Sequence, residues 1–473
     1  MRSKISSGEP FAMFRHVLTA AAVSAVASTG AALAYAQDAP PPGEVPAVYE
    51  IVDAVSAQRI EADIRTLAGF GTRHTASQTE SNTRGIGAAR RWIFDEFERI
   101  SAECGGCLDV RYVSETVEGE RRIPDPVEVV SVIAIQRGTL DPGRVVMMSG
   151  DIDSRASDVM NAEIDAPGAN DNASGVAGAI EAARVLSGRS FAGTIVYAAL
   201  AGEEQGLFGG EILARYALEE GWRIKAVLNN DMIGNIAGID GVIDNSSIRV
   251  FSEGTRATET EQEARIRRFT GGEVDSASRN LARYIDAIAD QYVTNLDVMM
   301  VYRLDRFGRG GHHRPFNDAG MPGVRLMETH EHYDRQHQDI RMEDGRHFGD
   351  TVDHVDFDYA AKATSLNAAT LALLAGAPPI PADVSIEGAV SADTTLSWTL
   401  AEGASANNLA GYRVHWRLTD APQWTHSRWV GLTDTSVLEN LVIDNYFFGV
   451  SAVATDGSAS PVVFPGPAGD FGD

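Results

Sequence analysis

Ser149-Gly150-Asp151-Ile152-Asp153-Ser154 begins the stretch on which the fold turns. Ala166-Pro167-Gly168-Ala169-Asn170-Asp171-Asn172-Ala173-Ser174-Gly175 and Ala201-Gly202-Glu203-Glu204-Gln205-Gly206 complete it. Each segment follows an apolar run or opens a helix, so each is expected to place a carboxylate at the C-terminal edge of a sheet. Zinc and the hard divalent cations accept carboxylate oxygens, and several such loops converging on one point make a metal site. The adjacent glutamates are the most specific element. One can ligate a metal while its neighbour, pointing elsewhere, acts as general base for a water molecule.

Working outward, Val48 to Leu67 and Gly85 to Ile100 show helical spacing of apolar residues, and Gly71-Thr72-Arg73-His74-Thr75 separates them. Val127 to Ile135 and Val145 to Met148 are short apolar runs bounded by Pro, Gly and charge, which predicts buried strands. Gly175 to Leu186 follows as a helix, Gly193 to Leu200 as a strand, Phe208 to Ala217 as a helix and Ile224 to Leu228 as a strand. Strands alternating with helices predict an α/β domain of three layers (αβα) around a largely parallel sheet, with the active site beyond the carboxyl ends of the strands.

The three acidic segments, followed by Asn229-Asn230-Asp231-Met232-Ile233-Gly234, resemble the secreted dinuclear zinc aminopeptidases of metallopeptidase clan MH, which also contains glutamate carboxypeptidases and glutaminyl cyclases. The resemblance covers roughly residues 50 to 375, with four motifs in the family's order. It implies a zinc-exopeptidase fold, a peptide substrate and two divalent metal ions, zinc by preference. Residue by residue, it implies that Asp171 bridges both metals, Asp231 ligates one, Glu204 ligates the other and Glu203 is the general base. The last ligand in such enzymes is a downstream histidine, for which this chain offers His330, His332, His337 and His347. His337 is favoured because it stands after the apolar run Val324-Arg325-Leu326-Met327 and before the final helix; His347, near Asp350-Thr351, is the competitor. His313, in Gly310-Gly311-His312-His313-Arg314-Pro315-Phe316, is the expected donor to the oxyanion, and His312 replaces an aspartate of the family's pattern.

The chain departs from that pattern where the family has His-x-Asp, because this sequence reads Asp151-Ile152-Asp153. Asp151 is then the expected ligand of the first metal, and Asp153 fixes its neighbours. With mainly oxygen donors the first position suits Mn or Mg better than the histidine-containing site does. The leading reading is an aminopeptidase. A carboxypeptidase or glutaminyl cyclase of the same fold, or a noncatalytic binding protein that retains it, are the alternatives.

The flanks suggest processing and a second module. Residues 1–36 carry Arg2, Lys4 and Arg15 ahead of the small and apolar run Val17 to Leu33, and Ala34-Tyr35-Ala36 fits a signal-peptide cleavage site; an uncleaved anchor is the alternative, and Met13 is a possible start. No later stretch is long and apolar enough to span a bilayer, so an exported protein, periplasmic or extracellular, is expected. Residues 37–46 read as a linker and 47–377 as the metallopeptidase domain. Beyond Pro378-Pro379-Ile380-Pro381, residues 378–473 alternate without helical periodicity. Leu396-Ser397-Trp398, Tyr412-Arg413-Val414-His415-Trp416 and the run from Tyr446 to Val453 resemble strands of a fibronectin type III sandwich, with Trp398 in its core and Tyr446 at a tyrosine corner. Such a module suggests contact with substrate or cell envelope.

Cys104 and Cys107, the only cysteines, favour a local disulfide in an exported chain over a redox or metal pair. Lys and Arg total 40 against 66 Asp and Glu, a net charge of −26, which argues against nonspecific nucleic-acid binding. The same balance gives weak grounds for a cationic substrate preference.

Overall fold

In the computed structural model, which describes residues 43–400 and 408–471, an eight-stranded sheet forms the centre of the molecule. Its strands are β1 (Leu108–Val117), β2 (Val127–Gln136), β3 (Asp141–Asp151), β4 (Gly193–Leu200), β5 (Arg223–Asn230), β6 (Ser247–Phe251), β7 (Asp297–Val301) and β8 (Gly323–Glu328), in the spatial order β1-β2-β4-β3-β5-β8-β6-β7. The middle run β4-β3-β5-β8 is parallel, while β2 meets β4, and β6 meets β8, antiparallel. The expected signal segment, residues 1–36, lies outside the described residues.

Both faces of this sheet are covered, which is why its central strands read as continuous apolar runs rather than alternating ones. Alternation is still present in where the side chains go. Val146 and Met148 of β3, with Ile195, Tyr197 and Ala199 of β4, enter the larger core. Val145, Met147, Val196, Ala198 and Leu200 enter the other. The period of two therefore sorts one apolar run into two layers. Helices Ala57–Gly69, Gly85–Glu103, Ala173–Leu186 and Phe357–Gly376 cover the first face, and Phe208–Glu219 and His313–Asp318 cover the second.

The helix expected over Val48 to Leu67 is two helices, Pro46–Asp53 and Ala57–Gly69. Ser56 divides them, because its hydroxyl accepts the N–H of Arg59 and caps the second helix. Helix Ala173–Leu186 starts close against the end of β3. A Cβ on Gly150 would lie 2.2 Å from the carbonyl carbon of Gly175, and one on Gly175 would lie 2.2 Å from the Asn230 carbonyl oxygen. Glycine at both positions is what lets the helix start this close to the sheet edge.

The C-terminal region holds two three-stranded antiparallel sheets. With the Arg341–Glu343 and Arg346–Phe348 hairpin counted as β9 and β10, they comprise β11 (Ala382–Glu387), β12 (Thr394–Thr399) and β15 (Thr435–Leu438), then β14 (His426–Gly431), β13 (Leu409–Leu418) and β16 (Tyr446–Ala454). Trp398 is buried between them and packs on Tyr412 with ring centroids 5.3 Å apart. Cys104 and Cys107 form a disulfide just after helix Gly85–Glu103.

Candidate metal centre

The acidic loops converge at the carboxyl edge of the parallel strands. Asp151 is the last residue of β3, Glu203 and Glu204 follow β4, and Asp231 follows β5. Asp171 comes from the loop before helix Ala173–Leu186, whose cap is Asn172: its side-chain oxygen accepts the N–H of Gly175 at 3.0 Å. Asp350 holds that loop in place, its carboxylate accepting the backbone N–H of Asn170 at 2.9 Å and of Asp171 at 2.7 Å.

His337 reaches in from beyond β8. Its Nε2 lies 2.9 Å from Oδ2 of Asp171 and 2.8 Å from Oε1 of Glu204. Its backbone is left-handed, with φ 54°, a conformation that a non-glycine residue adopts when its surroundings hold it there. Gln336 donates to the same Asp171 oxygen at 3.2 Å. Among the described residues, Asp171, Glu204 and His337 are the group of three whose ligand atoms lie within 4.8 Å of one another. His347 stands elsewhere, with Nδ1 3.0 Å from Nε2 of His354.

Two carboxylates and one imidazole on a cavity wall fit a divalent ion of zinc type, since catalytic zinc takes three N or O ligands from the protein and keeps one position open. Electrostatics agree. Burial works to lower the pKa of His337, yet the Glu204 and Asp171 carboxylates outweigh it and raise the value to about 9. Burial alone would raise Asp171, but the His337 imidazole holds it below the usual carboxylate range. The cluster thus attracts positive charge strongly, whether a proton or a metal.

Asp151 and Asp231 are differently engaged. Oδ1 of Asp151 is 2.5 Å from Nδ1 of His312, and its Oδ2 accepts from Asn172 Nδ2 at 2.7 Å. Burial, eased by the Asn172 hydrogen bond, leaves Asp151 raised to about 7, while burial lowers His312 to about 4. Oδ2 of Asp231 is 2.8 Å from Nη2 of Arg325, a fully buried guanidinium. Asp153 accepts the backbone N–H groups of Glu203 and Glu204, at 3.1 and 3.0 Å.

Asp171, Glu203, Glu204, Asp231 and His337 line one cavity of about 780 Å³. Burial, reinforced by the Glu204, Asp231 and Asp151 carboxylates, raises the pKa of Glu203 well above its ordinary value. His313, expected at the oxyanion, is not among the lining residues. Its ring is fully buried and Nε2 is 2.9 Å from the Leu304 carbonyl oxygen. It opens the short helix His313–Asp318, and His312 contacts Asp151 of the acidic loops instead. Arg325 lies outside the sequence motifs, although a lone arginine between Val324 and Leu326 in a wholly buried strand is a legible signal. Arg122, Arg155 and Arg306, likewise outside the motifs, share the cavity wall.

The profile of the family described as Peptidase family M28 matches residues 131–356, a span that includes every acidic loop and His337. A protein named "Probable zinc metalloprotease" from Pyrenophora teres f. teres is 44% identical over 421 residues, which is 88% of this chain and 86% of that protein. One of the same name from Pyricularia oryzae is 44% identical over 417 residues, 87% of this chain and 83% of its own. Among solved structures, LapB from Legionella pneumophila superposes with a TM-score of 0.51 at 19% identity, over 70% of this chain and 75% of that one, a likeness of fold.

Proposed function

The chain belongs to peptidase family M28, and from that premise we propose that it is an exported zinc-dependent exopeptidase, an aminopeptidase that removes N-terminal residues from peptides. The observation that carries the reading is Glu203, a carboxylate on the wall of the same cavity as the Asp171, Glu204 and His337 cluster. Asp171, Glu204 and His337 would hold a zinc ion, which would supply Lewis acidity toward the scissile carbonyl and lower the pKa of bound water. Glu203 takes the proton from the attacking water and returns it to the leaving amine. Its raised affinity for a proton suits the first half of that task, because a stronger base takes the proton more readily. Asp153 keeps the turn bearing Glu203 and Glu204 in register with β3.

The cavity wall also speaks to the substrate. Arg122, Arg155, Arg306, Arg309 and Arg314 line it, five cations against the four carboxylates of Asp171, Glu203, Glu204 and Asp231. Glu331 pairs with Arg306 and Arg309, and Asp318 with Arg314, so the wall is near balance by itself and a bound divalent ion would tip it cationic within a chain of net charge −26. This reverses the weak cationic preference suggested by composition and favours short peptides with acidic side chains. Export is supported by the leader-like residues 1–36 and by the Cys104–Cys107 disulfide, which persists in oxidising compartments. No helix among the described residues is long and apolar enough to cross a membrane. The C-terminal sheets are read as a fibronectin type III-like module for substrate or envelope contact.

Acidic peptides with free, N-acetylated or C-amidated ends, analysed by mass spectrometry, test the reading. Release of the N-terminal residue from free-amine peptides alone is expected. Trimming of N-blocked peptides from the carboxyl end would replace it with a carboxypeptidase, and pyroglutamate formation with a glutaminyl cyclase. Zinc binding without turnover would leave a binding protein.

A further inference from the structure

We infer that the centre holds one divalent ion, in the Asp171, Glu204 and His337 position, and that Arg325 supplies the positive charge where a second ion would otherwise balance Asp231. The inference rests on the metallopeptidase reading and departs from the two ions implied by the resemblance. Asp231 follows β5 and Arg325 lies on β8, adjacent parallel strands in which Asn229 pairs with Arg325, so the two side chains share one sheet edge.

The guanidinium is hydrogen-bonded through Nε and Nη1, while Nη2 makes an ion-pair contact without a hydrogen bond. Nη2 is 2.8 Å from Oδ2 of Asp231, and Nε donates to the Asp231 carbonyl oxygen at 2.6 Å. Nη1 donates to Oδ1 and Oδ2 of Asp305 at 3.0 and 3.1 Å, and to the Gly310 carbonyl oxygen at 3.0 Å. Flanked by buried Val324 and Leu326, this cation cannot swing into water. Displacing it would leave the buried carboxylate of Asp231 without its cation, and Asp305 with only its contacts to Arg306 and His313.

Asp151 is equally committed, with Oδ1 to His312 and Oδ2 to Asn172. Of the four carboxylate oxygens on Asp151 and Asp231, only Oδ1 of Asp231 has no partner. That oxygen with Oδ1 of Asp171, the one not in contact with His337, would offer two protein ligands, short of the three that a catalytic zinc takes. A divalent ion there would also face a fixed guanidinium on the same carboxylate, a like-charge contact in a poorly screened site. Neither Asp151 nor Asp231 belongs to the cluster of ligand atoms within 4.8 Å.

Metal stoichiometry decides the matter without any assay of turnover. The full chain is saturated with zinc, passed through gel filtration in metal-free buffer, and measured by inductively coupled plasma and native mass spectrometry. One zinc per chain is expected. Asp151→Asn should keep one, and Asp171→Asn should fall toward none, circular dichroism confirming that both variants are folded. Two zinc ions in the wild type, loss of zinc in folded Asp151→Asn, or retention in folded Asp171→Asn each overturns the inference. A wild-type count of zero would overturn the metallopeptidase reading along with it, whereas a count of two leaves that reading standing. The wild-type count remains decisive if either variant fails to fold.

Discussion

Oδ1 of Asp153 accepts the backbone N–H of Glu203 at 3.1 Å, tying the proposed general base to the end of β3 across the sheet edge. Oδ2 takes the next N–H, that of Glu204, and the hydroxyl of Thr75 at 3.1 Å. One carboxylate therefore positions Glu203 and Glu204, the proposed base and metal ligand, together. Asp153→Ala should lower zinc affinity, kcat or both by roughly 10–100-fold. Zinc titration and steady-state kinetics on the folded variant check this, and unchanged values in both would remove Asp153 from the site.

Glu203→Gln keeps the size of the side chain and removes its ability to take a proton. It should retain fold and zinc while turnover falls by about 10²–10⁴-fold, the range for a positioned acid or base. Near-normal turnover with zinc bound would assign the proton transfer to another group.

His337 gives the metal-free protein a defined pH response. Its folded pKa of about 9 lies above its unfolded value of about 6.5. The stability it contributes is then fully present below about pH 6.5 and is lost as pH rises through about 9. Zinc requires the neutral imidazole, so uptake should release a proton, and apparent affinity should strengthen as pH rises toward 9. Calorimetry in buffers of different ionisation enthalpy measures that proton directly; zinc binding without proton release at pH 7 would contradict it.

Arg309 and Arg314 are the more exposed cations of the cavity wall, with side chains 35% and 53% accessible. Arg309→Glu with Arg314→Glu should reduce kcat/KM for acidic peptides by about tenfold and relieve the disadvantage of basic ones, with the difference shrinking at high salt. A wild-type enzyme that prefers basic peptides would sink the substrate assignment.

The C-terminal sheets are fastened to the catalytic layer through Asp275. Its carboxylate accepts from Arg417 of β13 at 2.8 and 3.0 Å and from Arg283 of helix Ala277–Tyr292 at 2.9 Å, with all three side chains buried. Asp275→Ala strands two buried guanidiniums and should cost about 3–5 kcal/mol. Removing residues 378–473 takes Arg417 away and uncovers Arg283, so the truncated chain should melt well below the full one. Equal melting temperatures would show that this contact contributes little.

The alternation of apolar runs and acidic loops determined the α/β layering and delivered Asp171, Glu203, Glu204 and Asp231 to one edge. Strand period and loop position are local properties, and parallel strands necessarily end their loops on the same side. The glycines at Gly150 and Gly175 and the cap at Asn172 belong to the same local code. Which histidine arrives was not local: His337 is chosen over His347 by a loop held in a left-handed turn, and His313 is turned away by a short helix. Side-chain partners were less local still. Arg325 meets Asp231, and His312 meets Asp151, across separations of 94 and 161 residues. Nothing in the spacing of either segment encodes those meetings. Charge in a buried site is settled by whichever groups the packed strands bring within contact, and only the tertiary structure decides that.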